Sequence, residues 1–416
     1  MALEGLRCKE CGADYPVDAR YFCEQCFGPL EVVYDFGAID PAEARRKIQA
    51  GSAGIWRYAD FLPFAAGPPA ERSALEPGLT PLVRADRLAE RLGLGEVWVK
   101  NDAANPTHSF KDRVVAVAVA KARELDFDTV ACASTGNLAN AVAAHAAAAG
   151  LASYVFVPAD LEEQKLLATG VYGTHLVGVR GSYDDVNRLC TELSETRPWA
   201  FVNVNLRPYY AEGSKTLAYE TIEQLGWELP DRVVCPIASG SLFTRLGRAF
   251  REWLDLGLAG GEPPVFNGAQ PAGCDPVAEA FAEGRDVCKP QRPDTIAKSL
   301  AIGDPADGPY AVELARASGG AIDSVSDAEI RDGIRLLAET TGIFTETAGG
   351  VTTAVLAKLA ERGAIGADER VVVYITGEGL KTLDAVRDGH SAYEIDATVA
   401  DFERGVPEPA ATGAGA

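Results

Sequence analysis

Short runs of β-branched and other apolar residues alternate along most of this chain with alanine-rich stretches of helical periodicity. Each run is a predicted strand followed by a turn with Gly, Ser, Asn or Pro and then by a helix; the runs lie at 96–100, 129–133, 154–157, 175–179, 233–237 and 371–376. This alternation builds parallel sheets covered by helices, because parallel strands need crossover connections. The pattern therefore predicts an α/β fold between about residues 55 and 400.

The charge narrows the classes of partner. The 416 residues include 39 Lys and Arg against 60 Asp and Glu, a net charge of −21. Such a charge repels phosphate backbones and anionic lipid surfaces, and no basic stripe in the sequence offsets it. We therefore expect a small-molecule ligand, no nucleic acid and no membrane. Because we find neither a signal peptide nor a membrane-length apolar run, the expected location is the cytoplasm.

Two closely spaced cysteine pairs stand near the N-terminus, Cys8 with Cys11 and Cys23 with Cys26. Two such pairs can supply the four tetrahedral thiolates of a structural zinc ion, and so short a segment has too few apolar residues to fold unaided. The pattern predicts a zinc-ribbon-like module over residues 1–40. Two disulfides, or free thiols, are the alternative.

Lys111 follows a turn at Asn105-Pro106 and opens a helix. The positive end of the helix dipole favours a neutral amine there, which suits a nucleophile. For a lone lysine, a solvated helix position is the alternative. Three other predicted strands end in turns of small polar residues, and such turns bind carboxylates and phosphates with their backbone N–H groups at the carboxyl edge of an open sheet.

These motifs, in this order, resemble the threonine synthase family among fold type II pyridoxal-phosphate enzymes. The matching segments are SFKDR (109–113), ASTGN (133–137), EGSKT (212–216), the Ser/Gly loop (236–242) and TGEGLK (376–381). The cysteine module with GIWRY (54–58), Leu62-Pro63 and LTPLVR (79–84) resembles the archaeal-type branch. The resemblance covers nearly the whole chain.

The resemblance implies a tryptophan synthase β-like fold with two open parallel-sheet lobes. The catalytic core would span residues 55–400, with a smaller mobile lobe at about 100–205 and a larger lobe at about 55–99 and 206–400. The Pro-, Gly- and Ala-rich residues 404–416 predict a disordered tail. Relatives of this fold type are commonly homodimers, so a homodimer is expected.

The resemblance also implies roles for individual residues. Lys111 would hold pyridoxal 5′-phosphate as a Schiff base and move protons at Cα and Cβ of the substrate. Other cofactor contacts are expected from Phe110, from Asn137 at the ring hydroxyl, from Thr376 at the pyridine nitrogen, and from Ala238, Ser239, Gly240, Ser241 and Leu242 at the phosphate. Substrate contacts are expected from Ser134, Thr135, Gly136 and Asn137 at the α-carboxylate, and from Asn205, Arg207 and Tyr210.

The chain departs from the family pattern where the substrate phosphate is usually bound. Leu138 stands at a usual threonine, Tyr210 at a usual arginine, and Ser239 at a usual asparagine of the cofactor loop. Arg207 is a substitute phosphate or sulfonate ligand, because its guanidinium suits a bidentate contact, or else a surface salt-bridge residue. His108 and Glu378 also differ from the family pattern and are candidates either for acid–base work or for local structure.

We therefore predict a pyridoxal-phosphate-dependent carbon–oxygen lyase that eliminates the γ-phosphate of O-phosphohomoserine and adds water at Cβ. The alternative is β-replacement or β-elimination, as in cysteate synthase (O-phosphoserine plus sulfite) or a Ser/Thr dehydratase. A catalytically silent paralogue that keeps the fold as a binding module is a third reading, which the retained Lys111, Asn137 and Thr376 disfavour.

Overall fold

The structure, a computed structural model, describes residues 2–65, 67–70, 72–181, 183–389 and 392–407. The strands are β1 (Ala2–Cys8), β2 (Asp14–Tyr15), β3 (Leu30–Asp35), β4 (Leu82–Arg84), β5 (Glu96–Asn101), β6 (Thr129–Ala133), β7 (Ala152–Pro158), β8 (His175–Val179), β9 (Ala200–Phe201), β10 (Arg232–Pro236), β11 (Val265–Pro271), β12 (Ile322–Val325) and β13 (Arg370–Ile375).

The α-helices are α1 (Pro41–Gln49), α2 (Asp86–Leu92), α3 (Lys111–Glu124), α4 (Asn137–Ala149), α5 (Glu163–Gly170), α6 (Tyr183–Thr196), α7 (Arg207–Glu212), α8 (Lys215–Gln224), α9 (Ser241–Asp255), α10 (Pro276–Ala282), α11 (Gly308–Ala317), α12 (Asp327–Thr341), α13 (Thr347–Glu361) and α14 (Val399–Gly405). Short 3₁₀ segments lie at Ile55–Phe61, Asp102–Ala104, Lys298–Leu300 and Gly379–Gly389. Within the described ranges, no helix is both long and apolar enough to cross a membrane.

The chain divides into two compact units, of which the first ends at Lys381 and the second begins at Thr382. Helix α14 lies in the second unit. The predicted disordered tail lies outside the described residues from residue 408 onward. All of the site described below lies in the first unit.

Two sheets with parallel strands form the body of the first unit. In the described part of the chain, six strands pair in the order β12-β11-β10-β13-β5-β4, with β4 antiparallel at the edge, and four parallel strands pair in the order β8-β7-β6-β9. All six strands predicted from the sequence are present, each with ends within two residues of the prediction. The predicted α/β class with parallel sheets is therefore confirmed, while the proposed lobe boundaries stay predictions.

The N-terminal cysteines lie on a separate antiparallel sheet of order β2-β1-β3. Leu6, Leu30 and Val32 are its buried apolar residues, and each is at most 4% exposed. So small a core supplies little stability by itself. The sheet therefore depends on its packing against the rest of the unit, with whose hydrophobic core these residues cluster.

A buried network of charges holds the start of helix α3. Arg113 donates to Asp102 at 2.6 and 2.8 Å and to Glu220 at 2.6 and 2.7 Å, and Lys100 Nζ lies 2.9 Å from Glu220. These side chains are at most 1% exposed. Although burial alone would raise it, the charges of Arg113 and Lys100 lower the pKa of Glu220 to about 2. The network joins β5, the 3₁₀ turn after it, α3 and α8.

Replacing Arg113 by methionine should destabilise the fold by about 3–5 kcal/mol, because Asp102 and Glu220 would lose their shared buried cation. Urea unfolding followed by circular dichroism measures the change. Arg188 is the control: its side chain is 65% exposed in its ion pairs, and Arg188→Met should cost less than about 1 kcal/mol. Equal costs for the two variants would contradict this account.

Candidate active site

Lys111 is the first residue of α3, and its amine meets a tyrosine. Its Nζ donates to the hydroxyl of Tyr210 at 2.8 Å and lies 4.6 Å from the ring centroid of Phe110. Tyr210 lies on α7 and is 8% exposed. Two residues predicted for different roles, cofactor attachment and substrate binding, are thus in direct contact.

The two residues after Lys111, Asp112 and Arg113, fix the start of α3 through buried hydrogen bonds. Asp112 is buried and accepts hydrogen bonds from the backbone N–H and the hydroxyl of Thr107, at 2.8 and 2.9 Å, while His145 Nε2 on α4 lies 3.1 Å from its Oδ1. Arg113 belongs to the charge network described above. The sequence interpretation assigned no role to Asp112 or Arg113, although both stand in the SFKDR motif.

Three backbone segments run side by side at the ends of the central strands. Phe110 N–H donates to the carbonyl of Thr376 at 2.9 Å, Glu378 N–H to that of His108 at 3.1 Å, and Glu346 N–H to that of Gly377 at 3.1 Å. Thr376 directly follows β13, so this pairing brings the predicted pyridine-nitrogen residue to the start of α3. His108 is exposed with a φ of +61°, which places it in a tight turn; its role in catalysis stays a prediction.

Asn137 opens α4 and lies between two charged side chains. Its Nδ2 lies 3.0 and 3.1 Å from the two carboxylate oxygens of Glu346, and its Oδ1 accepts from Lys381 Nζ at 2.8 Å. The sequence interpretation missed Glu346. Its only local signal is a carboxylate in a run of small residues just before a helix.

The turn before Asn137 presents its backbone to the same region. The Ser134 hydroxyl accepts from the N–H groups of Gly136 and Ala139, both at 3.3 Å. Thr135 and Gly136 are half-buried and exposed respectively. These two N–H groups are therefore already paired, and the other N–H groups at the start of α4 are the ones suited to an anion such as the predicted α-carboxylate.

The predicted phosphate loop runs from the end of β10 to the first turn of α9, a 15-residue helix. Gly240 has a φ of +91°, and a Cβ there would lie 2.7 Å from the carbonyl oxygen of Asp307. Asp307 also donates its N–H to the Ser239 carbonyl at 2.8 Å. The loop therefore needs glycine at this position, and its N–H groups at the helix start form a place for a phosphate.

The residues at the unusual substrate positions have different surroundings. Leu138 packs in a hydrophobic core. The amide of Asn205 bonds to the backbone of Phe201 and Trp199, at 2.8 and 3.0 Å. Arg207 donates to the carboxylate of Asp307 at 2.7 Å and precedes Tyr210 by one helical turn on α7, so the two side chains share a face of that helix. Their contacts with substrate stay predictions.

The four N-terminal cysteines converge. Their sulfur atoms all lie within 4.8 Å of one another, with Cys8 and Cys26 at 3.4 Å and Cys11 and Cys23 at 3.5 Å. All four are free thiols, and a disulfide would need about 2.05 Å between sulfurs. The structure therefore contains neither of the two disulfides considered as an alternative.

Comparison with known proteins decides the family. A model of the pyridoxal-phosphate-dependent enzymes matches residues 74–377. The threonine synthase of Methanocaldococcus jannaschii is 37% identical over 91% of this chain and 93% of its own length. That of Methanosarcina acetivorans is 37% identical over 92% of this chain and 93% of its own.

The chain belongs to the threonine synthase family of pyridoxal-phosphate-dependent enzymes. As a member it is a pyridoxal-phosphate-dependent lyase. Solved structures extend the likeness to the fold. A fungal L-serine ammonia-lyase from Rhizomucor miehei is 22% identical with a TM-score of 0.64 over 76% of this chain and 99% of that one. A threonine deaminase from Solanum lycopersicum is 20% identical with a TM-score of 0.62 over 86% of this chain and 95% of that one.

The residues present fit the cofactor of this threonine synthase family. A glycine cradle at a helix start suits its phosphate, Lys111 would supply the amine, and Asn137 and Thr376 would supply polar groups for its ring. The buried hydroxyl of Ser109, two residues before Lys111, has no hydrogen-bond partner among the described residues. An unsatisfied buried hydroxyl indicates a site that receives a polar ligand.

Gly240→Ala should lower the affinity for pyridoxal phosphate by about tenfold or more, because the clash with the Asp307 carbonyl displaces the phosphate loop. Gly342→Ala is the control, with a φ of +73° and no described atom within 4 Å of its Cβ. Both variants should lose about 1 kcal/mol of stability from the left-handed backbone. Equilibrium dialysis measures the affinities; an equal loss of affinity in both variants would contradict the assignment of the loop.

Proposed function

We propose that this protein forms threonine from O-phosphohomoserine and water, with release of inorganic phosphate. The observation that carries the proposal is the 37% identity, over 91% of the chain, to the threonine synthase of Methanocaldococcus jannaschii. In the reaction, the substrate loses a proton from Cα and one from Cβ, and the Cγ–oxygen bond breaks with its electron pair leaving on phosphate. Water then supplies hydroxyl to Cβ, Cγ takes up a proton and becomes the methyl group, and a proton returns to Cα.

Pyridoxal phosphate, when bound, supplies an electron sink for charge that develops at the substrate Cα. Lys111, Asn137, Thr376 and the loop at 238–242 would hold it. Lys111 Nζ, at the head of a fixed helix, would move the protons at Cα and Cβ. The Tyr210 hydroxyl, 2.8 Å from that amine, would keep it oriented while protons move.

The turn at Ser134–Gly136 would bind the substrate α-carboxylate through the N–H groups at the start of α4 that do not already donate to the Ser134 hydroxyl. The substrate phosphate then lies toward α7 in this proposal, because Arg207 and Tyr210 share a face of that helix. A guanidinium suits a phosphate, and Arg207 would exchange part of its contact with Asp307 for it. Leu138 and Tyr210 stand where the family usually has a threonine and an arginine for the substrate phosphate. Their loss supports the alternative reactions, β-replacement or β-elimination.

A substrate panel separates the reactions. Phosphate and threonine should form from O-phosphohomoserine, while O-phosphoserine with sulfite, and threonine alone, should give little product. Lys111→Ala should reduce the rate by at least about a hundredfold through loss of the acid–base group. Lys47→Ala, with a side chain that is 62% exposed, should leave it unchanged. The proposal would be overturned if O-phosphohomoserine gave no product while O-phosphoserine with sulfite was turned over, or while threonine released 2-oxobutyrate.

We also propose that the four cysteines bind one structural zinc ion. Sulfurs 2.3 Å from a tetrahedral zinc ion are about 3.8 Å apart, close to the spacing observed here. Cys8 and Cys23 are buried and Cys11 and Cys26 exposed, so the site lies at the edge of the small sheet. Four thiolates leave no open position, which supports a structural role. Homodimer assembly and a cytoplasmic location remain predictions.

Purified protein should contain about one zinc ion per chain, and Cys8→Ser should lose it, because three thiolates hold the metal less tightly. The melting temperature of Cys8→Ser should be lower than that of wild type, because the variant lacks the metal. Elemental analysis gives the content. Cys288→Ser, at a buried cysteine outside the small sheet, should retain full zinc. Equal zinc in wild type and Cys8→Ser, or a wild type without metal, would overturn the zinc proposal.

A further inference from the structure

The amide of Asn137 is held between a buried carboxylate and a mostly buried ammonium. Glu346 approaches its Nδ2 at 3.0 and 3.1 Å, and Lys381 approaches its Oδ1 at 2.8 Å. The partners come from distant parts of the chain, 209 and 244 residues away. Neither was assigned a role from the sequence.

Glu346 and Lys381 together determine which side of the Asn137 amide carries Nδ2 and which carries Oδ1. An ionised carboxylate only accepts hydrogen bonds and an ammonium only donates, so Nδ2 must face Glu346 and Oδ1 must face Lys381. The two oxygens of one carboxylate subtend too small an angle at Nδ2 to take both of its hydrogens. One N–H is therefore shared between them, and the second remains for another acceptor.

The partners are themselves fixed. Glu346 is 3% exposed and donates its N–H to the Gly377 carbonyl. A Cβ at Gly377 would lie 2.4 Å from Glu346 Oε1, so glycine at 377 makes room for the carboxylate. Lys381 donates a second bond to the Thr107 carbonyl at 2.6 Å, in the segment that leads to Lys111.

The two charges also support each other. Burial raises the pKa of Glu346, against the hydrogen bond from Asn137 and the charges of Lys381 and Lys111. Burial lowers the pKa of Lys381, against the charges of Glu346, Asp112 and Glu378. Each charge therefore shifts the pKa of the other group back toward its ionised form, against the effect of burial.

We propose that Glu346 and Lys381 are positioning residues that fix the Asn137 amide, with its remaining N–H directed to the ring hydroxyl of pyridoxal phosphate. The inference rests on the proposed function. Without the two charged partners, the amide is free to rotate by half a turn and present its oxygen, an acceptor, to the ring oxygen. Cofactor binding then loses a donor and gains a repulsion.

The test is a set of mutant cycles on cofactor affinity. Glu346→Gln and Lys381→Met keep the size of each side chain and remove its charge, and each should weaken pyridoxal phosphate binding by about tenfold, the cost of losing an oriented hydrogen bond. Both changes should act in the same direction, although the charges removed have opposite signs. Equilibrium dialysis of the holoenzyme, read by the visible absorbance of the bound cofactor, gives the dissociation constants.

The decisive arm uses Asn137→Ala. If the two residues act through the amide, neither Glu346→Gln nor Lys381→Met should change the affinity by more than about twofold in that background. Effects that persist undiminished there, or single variants within twofold of wild type, would overturn the inference and leave the proposed function intact. A wild type that binds no pyridoxal phosphate would overturn both.

Glu361→Gln is the matched control for charge. It makes the same chemical change at the opposite, exposed end of α13, the helix that Glu346 precedes. Its cofactor affinity should equal that of wild type. Urea unfolding of every variant separates a local loss of affinity from a loss of folded protein: Glu346→Gln with weakened binding at unchanged stability supports positioning, and weakened binding that scales with lost stability overturns it.

Discussion

The buried ion network around Arg113 is the constraint on which the site depends. Its four charges, on Asp102, Arg113, Glu220 and Lys100, come from β5, the turn after it, α3 and α8. Charges so deeply buried need near-complete pairing, which leaves little freedom for the elements that carry them. Arg113 stands two residues after Lys111, so the network also fixes the position at which Lys111 begins its helix.

Helix α7 connects the cysteine-bearing sheet with that lysine. Of two adjacent tyrosines, Tyr209 donates to the carbonyl of Asp18 at 2.8 Å and Tyr210 accepts from Lys111 at 2.8 Å. At the end of the helix, Tyr34 on β3 donates to Glu212 at 2.7 Å. The cysteine-bearing sheet thus bonds to the helix whose Tyr210 contacts the Lys111 amine, which gives the N-terminal module a place in the architecture of the site.

Although the protein carries a net charge of −21, its expected anionic ligands need positive potential only at the binding site. The starts of α4 and α9, where the substrate carboxylate and the cofactor phosphate are predicted to bind, offer backbone N–H groups whose partial positive charge does not depend on side chains. Even the cation on α7, Arg207, is paired with the carboxylate of Asp307. An acidic protein can therefore offer positions for anions at its helix ends.

The sequence by itself determined the elements whose signals are local: the β-branched strands, the polar turns after them, the helix start at Lys111 and the paired cysteines. It did not reveal β11, because that buried strand contains Asn267, Gly268 and Gln270, and the amides of Asn267 and Gln270 are satisfied by hydrogen bonds with other segments of the chain. Only the tertiary structure decided that Tyr210 meets Lys111 and that Glu346 and Lys381 hold Asn137. These contacts join residues about 100 to 240 apart, and only the packing of sheet edges brings such residues together.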